Sequence, residues 1–97
     1  MAAFSQKPDS VQQALYEQAL QKLKSGDNSG ATIQFTQLIN TGFANKEIFV
    51  KRGIIFFQQS EFEKAKADFD EAVKGRINSA ELFEYRGNAK YKLECAV

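Results

Sequence analysis

The residue types that do most protein chemistry are scarce in this chain. It has no histidine, so the side chain most often used as general base or zinc ligand near neutral pH is missing. Its one cysteine, Cys95, lies near the chain end with no basic neighbour strong enough to favour a thiolate, and no second cysteine exists for a disulfide. Gly-rich phosphate loops, paired-cysteine motifs and nucleophile elbows do not occur. Lys64 with Asp68 and Lys66 with Asp70 stand four apart, the spacing of solvent-face ion pairs on a helix, not of a metal centre. Arg52 and Arg86 stand 34 apart, either bridging structural units with their stems on apolar surface or solvated. The expectation is a protein that is not an enzyme, with no catalytic residue, no metal and no cofactor.

Net charge is +1, with 13 Lys plus Arg against 12 Asp plus Glu, and Lys22, Lys24, Lys90 and Lys92 are interleaved with acids. That balance argues against nucleic acid and anionic membranes as partners. No apolar run has the length of a membrane span or a signal core, and the single cysteine fits a reducing compartment, so a cytoplasmic location is expected. Hydrophobic residues at 43%, nine of them Phe, fit a folded chain of one domain.

The elements that must position any site read as helices throughout. Residues 1–9, with the only proline, predict a flexible lead-in, and 10–97 a helical domain. Ser10 with Gln13 has capping-box spacing, and Ser25–Gly26 gives the stop. A second helix is predicted after 27–29, carrying Ala31, Phe35, Leu38 and Ile39 and ending at Thr41–Gly42. Asn45 is predicted to cap a third, unusually apolar helix, whose Ile54–Phe57 run is strand-like only when read without its flanks. Ser60 with Glu63 and Asn78 with Glu81 predict the caps of a fourth and a fifth. Glycines 26, 42 and 75 fall at helix ends, where a left-handed residue is favoured. Gly53 and Gly87 fall inside helices at a cost of roughly 1 kcal/mol each, which predicts a neighbouring helix too close for a side chain.

Ala19, Gly53 and Gly87 are spaced by 34 residues, as are Ala31 with Ala65 and Phe35 with Phe69. Phe49, Gly53, Phe56, Phe62, Ala65, Phe69 and Ala72 form the fullest copy of the pattern. Period and positions together resemble the tetratricopeptide repeat. Arg52 departs from the usual Leu, Lys22 and Lys90 replace an aromatic, and Phe43 and Ile77 stand where proline is common. The resemblance implies an all-α fold, a right-handed superhelix of antiparallel helix pairs with about two and a half repeats: 12–44, 45–78, and a partial repeat or cap over 79–97. Phe83 and Leu93 are expected to pack back on the second repeat, leaving Leu82 or Tyr91 exposed.

In that family the first helix of each unit lines a concave groove that holds peptides or helices. The resemblance thus implies a partner-binding groove of Tyr16, Leu20, Val50, Lys51, Ile54, Phe57, Tyr85, Asn88 and Tyr91. The carboxylate clamp of chaperone-binding members is absent, since Tyr16, Leu20, Lys51, Glu81 and Tyr85 stand at its positions. The implied function is a protein-interaction scaffold, its partner another protein offering an apolar or amphipathic segment. The alternative is an assembly module, a homodimer that self-associates through the groove or the open last helix. The second apolar stripe of Val50, Ile54 and Phe57 is either that groove or simply core.

Overall fold

The computed structural model describes residues 10–95, and the expected lead-in over 1–9 lies outside them. Five helices make up the described chain: α1 (Ser10–Lys24), α2 (Asn28–Asn40), α3 (Glu47–Gln58), α4 (Phe62–Lys74) and α5 (Ala80–Cys95). None of the described residues forms a strand, so the helical reading of Ile54–Phe57 holds. The chain divides into two compact units, with the boundary after Phe43.

The first unit is the antiparallel pair α1–α2. Its turn closes because Gly26 takes φ +91°, letting its N–H donate to the Leu23 carbonyl (3.1 Å) while that of Asp27 donates to Lys22 (2.8 Å). Asp27 then caps α2 by accepting from the Gly30 N–H at 3.0 Å. Gly42, at φ +80°, ends α2 the same way. Ala19, Ala31, Phe35 and Leu38 are buried, and the Tyr16 ring packs 5.1 Å from Phe43 and 6.0 Å from Phe35. Ser10 is already the first helical residue of α1.

The second unit is α3, α4 and α5, with α4 packed against both others and α3 also touching α5. Asn45 does cap α3, its Oδ1 accepting from the Glu47 N–H at 3.0 Å. Gly53 meets its prediction: a Cβ there would lie 2.6 Å from the Phe69 ring. The core joins Val50, Ala65, Phe69, Ala72, Leu82 and Ala89.

Three predicted helix ends are corrected. Ser60 does not cap α4; at φ +63° it is the left-handed residue closing α3, and Glu61 precedes α4 without a side-chain cap. Gly75 has an ordinary φ of −80°, and Arg76 takes the left-handed turn at φ +63°. Gly75 answers to space instead, since a Cβ there would meet the Lys46 side chain. The cap of α5 is Ser79, whose Oγ accepts from the Leu82 N–H at 3.2 Å, one residue later than Asn78.

Candidate functional site: the two faces of α5

Polar pairs on α4 set the orientation of its neighbours. Arg52 grips the buried Asp68 with two bonds, Nε at 2.8 Å and Nη2 at 2.7 Å, and its guanidinium lies 5.4 Å from the Phe56 ring centre. That explains arginine where leucine is usual: it neutralises a carboxylate inside the α3–α4 contact. Asp68 is therefore not the partner of Lys64, which reaches Glu61 at 2.9 Å; the other expected pair, Lys66 with Asp70, forms at 3.0 Å. Arg86 donates from Nε to Asp70 at 2.7 Å, tying α5 to the far side of α4. Both arginines thus bridge helices. Burial pushes the Asp68 carboxyl up despite the opposing Arg52. At Asp70 burial also pulls upward, but the bonds and charges of Arg86 and Lys66 outweigh it and hold the carboxyl below its usual value.

These ties fix how α5 turns. Leu82 and Ala89 are fully buried, and Tyr85, Arg86 and Leu93 are half-buried, which makes an inner stripe at helical spacing. Phe83 is consequently 47% exposed and Tyr91 64% exposed. Gly87, between them, has nothing within 4 Å of where a Cβ would be. The expectation that Gly87 faces a close neighbour is overturned, and so is the packing of Phe83 onto the second repeat. The cause lies in the repeat itself. Gly53 receives the Phe69 ring of α4 and Phe49 packs against the same core, whereas Phe83 and Gly87, 34 residues on, have no such cover among the described residues.

The nine residues of the implied groove fall into three states. Tyr16 and Val50 are buried at 5% and 2% exposure, Tyr16 in the first unit's aromatic core and Val50 in the second's core. Leu20, Lys51, Ile54, Phe57 and Tyr85 are half-buried. Phe57 is edge-on to Tyr85 at 5.3 Å and to Phe62 at 5.1 Å. Asn88 and Tyr91 are exposed. Described concavities lie elsewhere, one between the α3–α4 turn and Leu93, another among Val11, Leu15 and Thr41 of the first unit.

Sequence reasoning missed Phe83 and Gly87 as surface. The available signal was the better inward stripe: Leu82, Tyr85, Arg86, Ala89 and Leu93 have a cleaner helical period than Phe83 with Leu93. Among the described residues no group of three or more His, Cys, Asp or Glu could hold a metal ion, and no helix is long and apolar enough to cross a membrane. No family model matches the chain, and no curated protein matches it. What the fold defines is an all-helical domain of antiparallel helix pairs, consistent with a generic helical-repeat architecture.

Proposed function

We propose that this protein is a non-catalytic interaction module of the tetratricopeptide kind that holds an amphipathic helix of a partner protein. Its principal holding surface is the outer face of α5. The observation carrying this reading is the contrast between two equivalent faces: on α3, Gly53 receives the Phe69 ring, while on α5, Gly87 receives nothing and its aromatic neighbours stand in solvent. An apolar helix face with a glycine at its centre suits a guest helix carrying the Ala-x-x-x-Phe-x-x-Ala spacing of α4 (Ala65, Phe69, Ala72). A reducing interior such as the cytoplasm suits the exposed thiol of Cys95.

A second reading places the guest along the implied groove, and the half-buried Ile54 and Phe57 beside Lys51 favour it. One experiment separates them. A helix-stabilised, fluorescently labelled peptide with the α4 sequence is titrated with the dilute chain by anisotropy. Saturable binding abolished by Phe83→Glu supports the α5 face, and loss with Ile54→Glu alone moves the site to the groove. Absence of saturable binding overturns both.

A further inference from the structure

Arg52 and Arg86 each stand one residue before the glycine of their helix, yet their guanidinium groups are engaged differently. Arg52 donates to both oxygens of Asp68, the residue just before the Phe69 that covers Gly53, and its side chain is 17% exposed. Arg86 donates from Nε alone, to Asp70, and is 41% exposed, which leaves its Nη donors without a partner among the described residues. Asp70 also accepts from Lys66 at 3.0 Å, so two cations share one carboxylate and a positive charge is left over. One turn on from Arg86 comes Lys90, exposed and in no ion pair among the described residues, at the place where α3 has Phe56. At about 100° per residue, Arg86 and Lys90 lie about 100° and 60° from the Gly87 direction on the same flank, and Glu84 lies on the other.

We propose that the partner helix docking on α5 is acidic along the edge that meets Arg86 and Lys90, with one acid immediately before its aromatic and a second four residues earlier. The inference rests on the reading of α5 as the docking surface and states the chemistry of its guest. A guest lying on α5 as α4 lies on α3 brings its aromatic to Gly87 and the preceding residue to Arg86, as Asp68 comes to Arg52. An acid there receives charge-assisted bonds from the remaining guanidinium donors. Four residues earlier is the place of Lys64, whose Nζ lies 5.6 Å from the centre of the Phe56 ring. On α5 that ring gives way to Lys90, so a lysine of the guest meets like charge there and an acid meets opposite charge. The α4 sequence thus has the shape but only one of the two charges. The pattern that fits is acid-Ala-x-x-acid-aromatic-x-x-Ala.

The test titrates the full chain into labelled, helix-stabilised peptides of the α4 sequence, Phe62–Lys74, and reads dissociation constants by anisotropy. Asp68→Asn in the peptide is expected to weaken binding about tenfold. Lys64→Glu in the peptide tightens it about threefold, while Lys74→Glu, an equal change of net charge away from the edge, leaves it within about twofold. Against the chain variant Arg86→Gln, its fold verified by circular dichroism, the effect of Asp68→Asn falls below about threefold. Three results overturn the proposal: affinity indifferent to Asp68→Asn, a Lys64→Glu peptide that binds no tighter than Lys74→Glu, or an undiminished Asp68→Asn effect in Arg86→Gln. If binding in those cases is still abolished by Phe83→Glu, the charge pattern falls and the docking surface stands. If no peptide binds saturably, both fall.

Discussion

Gly53 and Gly87 occupy equal places in the repeat pattern but opposite environments, so one substitution made at each gives a sharp prediction. Alanine at Gly53 would put its Cβ 2.6, 2.9 and 3.1 Å from three atoms of the Phe69 ring. Ordinary contact begins near 3.4 Å, so the ring must withdraw by about 0.8 Å. It has little room to do so, being fully buried with the Tyr85 ring centre 6.2 Å away. Overpacking of this kind costs about 1–3 kcal/mol. Alanine also gains roughly 1 kcal/mol of helix propensity over glycine, leaving Gly53→Ala destabilised by about 1 kcal/mol. At Gly87 the same gain comes with open space, so Gly87→Ala is stabilised by up to about 1 kcal/mol. The propensity term cancels in the difference, and the gap between the variants is the overpacking term alone, about 1–3 kcal/mol. Urea unfolding followed by far-UV circular dichroism measures it. A Gly53→Ala chain as stable as Gly87→Ala would refute the placement of these two glycines.

Other consequences follow from the helix ends and the charged ties. Ser60→Gly and Arg76→Gly each relieve a left-handed residue and should stabilise the fold by about 1 kcal/mol, read as a higher urea midpoint at unchanged slope. Asp68→Ala strips Arg52 of its carboxylate within the α3–α4 contact and should cost about 3–5 kcal/mol; adding Arg52→Leu should return much of that loss, and no recovery would show the pair is not the cause. The Asp70 carboxyl titrates below its unfolded value of 3.8, so its stabilisation is complete above that pH and is lost as pH falls through the lower folded value. Asp70→Asn should therefore lose less stability than the parent chain below pH 3.8, measured by urea unfolding across the acid limb.

Much of the fold could be read from residues because the responsible signals are local. Gly26 and Gly42 end α1 and α2 with the left-handed turns that their type favours. The small and aromatic period of the second unit anticipated the burial of Ala65, Phe69 and Ala72 and the close approach at Gly53. What escaped was set by neighbours in space. Ser60 and Arg76 adopt left-handed φ although their types resist it, because the helices on either side dictate the turn. Asp68 looked like the partner of a lysine four residues back, yet the rotation of α4 turns it inward to Arg52. Phe83 stands 34 residues after Phe49, and equal register does not say whether another helix covers it. The same limit applies to the implied groove, where Val50 is drawn into the core by Leu82 and Ala89 of α5, whose inner stripe has a different register.

The central claim is that the α5 face bearing Phe83, Gly87 and Tyr91 is an unfilled counterpart of the α3 face bearing Phe49 and Gly53. Amide chemical-shift mapping of the labelled chain during titration with the α4-sequence peptide tests it most directly. The account predicts that the largest shifts fall on residues 83–91 and vanish in Phe83→Glu. Shifts centred on Val50, Ile54 and Phe57, with residues 83–91 undisturbed, would contradict it.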